Sequence, residues 1–239
     1  MVYGLSTMDT LLMNHELKIV PTADGSNTIY NLQVGENYHS THGALQESRH
    51  VFLKSGLQYF LDGSENPLSA VSILEVGFGT GLNFLLTADY CIEKNISLDY
   101  TGIEAYPLSD EMIGQTGYNQ YISSPVWQQF IEPYPLALAG DALISPNCRL
   151  QIAHSKLHDF QSTQQYDIIY FDAFAVGKQP EMWEDAAIAH TVKFLKPGGV
   201  FVTYAITGNL KRALKALGCK VEKAPGAPGK REMLRAVNR

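Results

Sequence analysis

The chain has 239 residues, 45% hydrophobic and 18% charged, with a net charge of −6 at neutral pH. That length suits one sizeable core with a small addition, and the composition excludes a disordered or collagen-like chain. No apolar stretch approaches the roughly 18–20 residues of a membrane helix, and the acidic balance excludes a protein coated in nucleic-acid-binding surface.

The opening residues, "MVYGLSTMDTLLMN", lack a basic stretch followed by a continuous apolar core. Neither a secretory signal nor a transit peptide is therefore expected, and the expected location is cytoplasmic, with no membrane partner. Next, "ELKIV" and "NTIYNL" flank Asp24-Gly25, a hairpin signal, and 43–61 reads as a helix. Residues 1–66 are thus expected to form an N-terminal β-hairpin and helix appendage. From 67 to 239, strand-like and helix-like segments alternate, the pattern of a parallel sheet wrapped by helices. Strands are predicted at 71–76, 98–104, 149–153, 167–172, 198–206, 219–224 and 231–237, and helices near 80–94, 108–117, 180–195 and 208–217. "APGAPGK" at 224–230 turns the last two strands into a hairpin. The expected fold class is α/β, with a mostly parallel seven-stranded sheet ending in an antiparallel hairpin. An insertion at about 107–148, carrying Trp127 and several prolines, is longer than ordinary connections and is expected to build a substrate wall.

Within this pattern, "ILEVGFGTGLNF" at 73–84 turns a buried strand into a helix through three glycines. Glycine there permits positive φ and close approach of the backbone to a ligand, and the helix start offers free N–H groups. A dinucleotide fingerprint would place Gly or Ala where Leu82 stands, and the Glu75 carboxylate would repel a pyrophosphate, so a cationic guest fits better. A glycine turn that serves only helix–strand packing is the alternative.

In an open α/β sheet the ligand lies beyond the carboxyl ends of the strands. Glu75, Glu104 and Asp172 all occupy such ends, and Glu104 follows Gly81 by 23 residues, where a carboxylate can accept two ribose hydroxyls. Each could instead cap the helix that follows. Cys91, Cys148 and Cys219 are odd in number and widely spaced, as reduced structural thiols would be. His154 and His158, and His39 and His42, have helical spacings without a third ligand, so no metal is expected. Residues 208–239 hold nine basic against two acidic residues, a local excess of +7 that leaves −13 elsewhere. That tail, with Lys211, Arg212, Lys215, Lys230 and Arg231, reads either as a phosphate-binding patch or as a solvated face.

"LEVGFGTGLNF", "GIEAYPL", "YDIIYFDAFAVGKQPEMW" and "GKREML" together resemble class I S-adenosylmethionine-dependent methyltransferases with a Rossmann-like fold, specifically the MnmC/MnmD family of tRNA methyltransferase domains. The resemblance runs from "GALQESRHVFL" at 43–53 to 229–234. It implies S-adenosyl-L-methionine as cofactor, the tRNA anticodon stem-loop as partner, and N-methylation of the C5-aminomethyl group of a wobble 2-thiouridine. Glu75, Gly77, Phe78, Gly79, Gly81 and Asn83 would then face the methionine half, and Glu104 the ribose. Ser155 stands in "AHSKLHDF" where such enzymes often carry an Asp for the adenine amino group. Tyr38 and Ser40, and with them Glu47 and Arg49, are implied near the cofactor.

The implied chemistry needs a free amine held in line with the methyl group. Asp172 is the expected catalytic residue, accepting hydrogen bonds from that amine, and it also borders the cofactor. Phe174 and Trp183 are expected to hold the uracil or to be core, and Lys211, Arg212, Lys230 and Arg231 to meet RNA phosphates. A carboxymethylated precursor would require a separate oxidase. An aminopropyltransferase-like enzyme is one rival, which the basic tail disfavours; a non-catalytic cofactor-binding scaffold is another, which the three strand-end acids disfavour.

Overall fold

In the computed structural model, which describes residues 16–64 and 66–239, the chain begins with three antiparallel strands in a sheet of their own. These are β1 (Leu17–Pro21), β2 (Asn27–Asn31) and β3 (Glu36–Asn37). The hairpin turn is held by Asp24, whose Oδ1 accepts from the Ser26 N–H (3.0 Å) and the Thr22 hydroxyl (2.8 Å). The expectation that no leader is present rests on the first residues, which lie outside the described ones. A helical run, α1 (44–62), follows. Its middle, Arg49–Gln58, is π-wound between the α-helical turns Ala44–Ser48 and Tyr59–Asp62.

The main sheet contains β4 (Ala70–Val76), β5 (Ser97–Glu104), β6 (Asp141–Ser145), β7 (Cys148–His154), β8 (Tyr166–Phe171), β9 (Leu195–Thr203), β10 (Lys220–Pro225) and β11 (Glu232–Val237). Their order is β10-β11-β9-β8-β4-β5-β7-β6. Strands β9, β8, β4, β5 and β7 are mutually parallel, β11 is antiparallel to β9 and β10, and β6 is antiparallel to β7. The mostly parallel α/β class holds, but the sheet has eight strands where seven are predicted. The extra one, β6, lies inside the 107–148 insertion and buries only Ala142 and Ile144 outright. Two buried positions on a short edge strand are too few for a period-2 pattern to show.

The helices are α2 (Leu82–Glu93), α3 (Asp110–Gln115), α4 (Ser124–Ile131), α5 (Tyr134–Ala139), α6 (Asp185–Val192) and α7 (Gly208–Ala216). The helix predicted at 180–195 is broken: Pro180–Trp183 form a 3-10 turn, Glu184 is extended, and α6 starts at Asp185. Among the described residues, no helix is long and apolar enough to cross a membrane.

Successive side chains of a strand point to opposite faces, and here each face has its own core. Ile73, Ile168, Tyr170, Val200 and Val202 pack on one side with α1 and α2; Leu74, Val76, Ile169, Phe171 and Phe201 pack on the other with α6 and α7. Val51, Phe52 and Leu57 of α1 are buried in the first of these cores. Gly56 lies so close to the sheet that a Cβ would meet Tyr170 Cε1 at 2.8 Å. Residues 44–62 are therefore part of the main core, and the boundary expected at 66–67 runs through it. Since β5 and β8 flank β4 on opposite sides, the chain leaves β4 in both directions, opening a crevice at the carboxyl ends of these three strands.

Phe78, from the loop after β4, covers Gly102 of β5: a Cβ there would stand 2.9 Å from Phe78 Cγ. The ring is itself wedged among Phe84, Phe130 and Tyr134. Replacement Gly102→Ala should therefore overpack this contact and lower unfolding free energy by about 1–3 kcal/mol, measured by urea denaturation.

Candidate active site

The loop between β4 and α2 takes its shape from three glycines, Gly77 (φ 84°), Gly79 (φ 52°) and Gly81 (φ 75°), all in the left-handed region that side chains disfavour. Space forbids a side chain as well. A Cβ on Gly77 would meet the Asp172 carbonyl oxygen at 2.6 Å, and one on Gly79 would meet Tyr38 Cδ1 at 2.9 Å. The loop is tied to β5, with the Gly77 and Phe78 N–H groups donating to the Ile103 carbonyl (3.0 and 3.1 Å) and the Gly79 N–H to Glu104 Oε2 (2.8 Å). Phe78 borders the crevice, as expected, while its ring packs into the core.

Three strand-end acids are expected to face the ligand, and the structure separates their roles. Glu75 is fully buried and does not reach the crevice. Its Oε1 accepts from Asn83 Nδ2 and its Oε2 from the Tyr100 hydroxyl, both at 2.8 Å. Burial pushes its pKa well above the ordinary carboxylate range, with the charge of Asp172 adding to the effect. The expectation that Glu75 faces the cofactor is corrected: it acts through Asn83. Tyr100, its second donor, carries no sequence signal beyond an apolar strand position.

Asn83 sits in the first turn of α2, and its Nδ2 donates also to Asp172 Oδ2 (2.8 Å). One amide thus serves carboxylates from two neighbouring strands. Asp172 borders the crevice, and burial raises its pKa to about 8; nearby Glu47 adds to the rise, while Asn83 and Lys230 oppose it. Glu104 also borders the crevice and accepts from the Gly79 and Tyr106 N–H groups (2.8 and 3.0 Å). Burial raises its pKa, partly offset by those backbone donors.

The crevice encloses a cavity of about 510 Å³, within the range of small-molecule sites. Asn31, Gln33 and Tyr38 of the N-terminal segment wall it on one side, and Glu104, Ser155 and Phe174 line the sheet side. Asn83 Oδ1 and Ser155 Oγ are buried there without a hydrogen-bond partner. Buried polar atoms are rarely left unpaired, so two beside one cavity are consistent with a ligand that carries polar groups. Together with the glycine loop and the Glu104 carboxylate, this set fits the expected S-adenosyl-L-methionine.

Other expected contacts lie elsewhere. Trp183 is core: its indole N–H donates to the Phe174 carbonyl (2.8 Å) and its ring packs on Phe171 and Tyr204. Phe174 does border the cavity, edge-on to Tyr38 at 5.0 Å. Ser40 lies outside the lining; its N–H donates to Glu47 Oε2 (2.8 Å). His39 is buried beside Thr28, and burial lowers its pKa to about 4.

Strand β10 is parallel to β9, so the turn after it lies at the crevice edge of the sheet, as expected. The turn is clamped rather than open. His50 Nε2 meets the Pro225 carbonyl (2.7 Å), and Lys230 points inward to Glu47 (2.6 Å), which corrects its assignment as a phosphate contact. Arg231 is exposed. On the outer side, Lys211, Arg212, Lys215 and Lys223 line a shallow groove between α7 and β10 of about 460 Å³.

A family described as S-adenosyl-L-methionine-dependent methyltransferase matches residues 123–239. The chain is 34% identical over 210 residues to the tRNA 5-methylaminomethyl-2-thiouridine biosynthesis bifunctional protein MnmC of Magnetococcus marinus, covering 84% of this chain and 31% of that one. With the protein of the same name from Acinetobacter baylyi it shares 30% over 227 residues, 90% of this chain and 36% of that one. It therefore spans about a third of the length of these relatives. The crystal structure of MnmC2 from Aquifex aeolicus superposes with a TM-score of 0.72 at 21% identity, covering 98% of this chain and 78% of that one, which establishes the shared fold.

Glu104 ties the glycine loop to β5 while presenting its carboxylate to the cavity. Glu104→Ala should weaken S-adenosyl-L-methionine binding by about 1.5–3 kcal/mol, the scale of a charge-assisted hydrogen bond, as read by isothermal calorimetry.

Proposed function

Because the chain carries the domain of a family of S-adenosyl-L-methionine-dependent methyltransferases and is homologous over most of its length to proteins named MnmC, we propose a specific transfer. The acceptor is the aminomethyl nitrogen at C5 of a wobble 2-thiouridine in tRNA, and the product is 5-methylaminomethyl-2-thiouridine. The observation that carries this reading is Asp172: a hydrogen-bond acceptor at the crevice, held by Asn83 and with its pKa raised to about 8.

The residues that would hold the cofactor are the Gly77–Gly81 loop, Asn83, Glu104 and Ser155. When bound, S-adenosyl-L-methionine supplies a methyl group on a sulfonium, electrophilic toward a nitrogen lone pair. An alkylammonium has no such lone pair, so the site must hold the amine in its neutral form. For an ordinary carboxylate, taking a proton from an alkylammonium costs about 9 kcal/mol; for one raised to about 8, the cost falls to about 3 kcal/mol. In its ionised form Asp172 thus both orients the N–H bonds and receives a proton from the nitrogen. Phe174, edge-on to Tyr38, offers an apolar wall for a uracil ring.

The groove lined by Lys211, Arg212, Lys215 and Lys223 supports binding of anticodon stem-loop phosphates, which position RNA without reading its sequence. A separate oxidase acting on a carboxymethylated precursor is the proposed source of the amine. The cytoplasm, where tRNA is modified, is the proposed location.

The test is a methyl-transfer assay on tRNA bearing 5-aminomethyl-2-thiouridine, with the wobble nucleoside identified by mass spectrometry. Unmethylated nucleoside after incubation with active, cofactor-binding protein would refute the reading. Asp172→Ala should slow single turnover by about 10²-fold or more while S-adenosyl-L-methionine affinity stays within a few-fold. The double variant Lys211→Ala/Arg212→Ala should bind tRNA more weakly, with the slope of log affinity against log salt reduced by about 1.5, in a filter-binding titration.

A further inference from the structure

The loop after β8, which carries Asp172 and Phe174, is pinned at one backbone group after another. The Asp172 N–H donates to the Val76 carbonyl (2.9 Å), and the Ala173 carbonyl accepts from the Tyr204 hydroxyl (2.9 Å). The Phe174 carbonyl accepts from the Trp183 indole (2.8 Å), and the Ala175 N–H donates to Glu36 Oε2 of β3 (3.0 Å). The Phe174 N–H goes to a side chain of the same loop, donating to Gln179 Oε1 at 3.2 Å. Gln179 is itself fixed at the entrance to the 3-10 turn: its N–H donates to the Ala175 carbonyl (3.0 Å) and its carbonyl accepts from the Met182 N–H (3.2 Å). It is half-buried, lines the same cavity as Asp172 and Phe174, and among the described residues its Nε2 has no hydrogen-bond partner.

We propose that Gln179 is a specificity-determining residue: its Nε2–H donates to the C4 carbonyl oxygen of the wobble pyrimidine, so that a uridine is admitted and a cytidine rejected. This rests on the reading above for the class of ligand, a wobble pyrimidine, and not for the methyl transfer itself.

Covalent geometry places the donor. The oxygen and nitrogen of one amide are about 2.2 Å apart, so Nε2 stands within about 5.5 Å of the Phe174 nitrogen. Asp172 is two residues from Phe174, and their Cα atoms are therefore no more than about 7 Å apart. One cavity wall thus carries the acceptor for the amine and, a short distance on, a donor. The pyrimidine carries the matching pair, because the aminomethyl group on C5 and the oxygen on C4 sit on neighbouring ring atoms. A base whose amine meets Asp172 brings its C4 substituent to the same side. Uridine shows an acceptor there, whereas cytidine shows an amino group, which would meet Nε2 donor to donor. The side-chain amide cannot turn to offer Oε1 instead without leaving the Phe174 N–H unpaired. The bond to Phe174 therefore decides which end of the amide faces the base, and a side chain that could read either pyrimidine is restricted to one.

The test is a binding ratio that a role confined to pinning the loop does not move. Two labelled anticodon stem-loops, with 5-aminomethyluridine or 5-aminomethylcytidine at the wobble position, are titrated by fluorescence polarisation with S-adenosyl-L-homocysteine present, so that no turnover occurs. The wild-type protein should bind the uridine form about tenfold or more tightly than the cytidine form, the scale of discrimination by a site built around one hydrogen bond. Gln179→Glu keeps the size of the side chain and an acceptor for the Phe174 N–H but replaces the donor by a second acceptor, so the preference should fall about tenfold or more, to parity or beyond. Gln179→Met removes both groups and should also bring the ratio near one, so either variant decides if the other does not fold. Affinity for S-adenosyl-L-homocysteine should stay within a few-fold throughout. A wild-type protein without preference, or a preference kept in the folded Gln179→Glu or Gln179→Met protein, overturns the proposal. A ratio that changes as stated in a protein that fails to methylate tRNA would refute the methyl-transfer reading and leave this inference standing.

Discussion

One amide group holds the centre of this protein together. Asn83 gives its two N–H bonds to Glu75 and Asp172, acids that end adjacent parallel strands. Two carboxylates brought this close in a buried place would repel each other and lose their hydration, so each needs a donor that the interior supplies. The side chain that reaches both, Asn83, stands in the first turn of α2 and ties the start of that helix to the two strand ends. The glycine loop that joins strand to helix must therefore span a short, fixed gap, with Gly77 backed against the Asp172 carbonyl and Gly79 against Tyr38. The same donation leaves the oxygen of Asn83 as an acceptor with no protein partner, beside the cavity.

From that junction the division of labour among three acids follows. Glu75, with both oxygens occupied and no surface, is a scaffold for Asn83. Glu104 spends its oxygens on backbone N–H groups and so holds the loop against β5 while facing the ligand. Asp172 keeps one oxygen outside the Asn83 contact, and burial raises its pKa to about 8. Three residues of like chemistry at like positions thus acquire different work from the donors around them.

The N-terminal strands and α1 are as much a part of the site as the sheet. They supply one wall of the cavity, the Tyr38 edge against Phe174, and Glu47 against Lys230. The last turn is clamped onto α1 at Pro225 and Lys230, and Gly229 lies close against the His42 ring just before that helix. The N-terminal elements and the last turn therefore meet at the Glu47–Lys230 and His50–Pro225 contacts, while the basic groove lies between α7 and β10.

Much of this was legible in the sequence because it depends on local pattern. Buried runs such as Ile73–Val76 and Ile168–Phe171 must be strands covered on both faces, and the glycines between Val76 and Leu82 must turn the chain into a helix. A carboxylate that ends a parallel strand must lie near the crevice. That logic located Glu104 and Asp172 at the crevice but not Glu75, which is buried behind it, and the alternation of elements placed the last turn on the right edge. What a side chain does at its position was decided only by tertiary packing. Glu75 faces inward because Tyr100 and Asn83 meet it there; Trp183 is core because the Phe174 carbonyl takes its N–H; Lys230 turns from solvent because Glu47 waits on a helix 183 residues earlier in the chain. Such contacts join residues far apart in sequence, and no periodicity or spacing encodes them. The strand β6 escaped for a related reason, since an edge strand is defined by its partner more than by its own five residues.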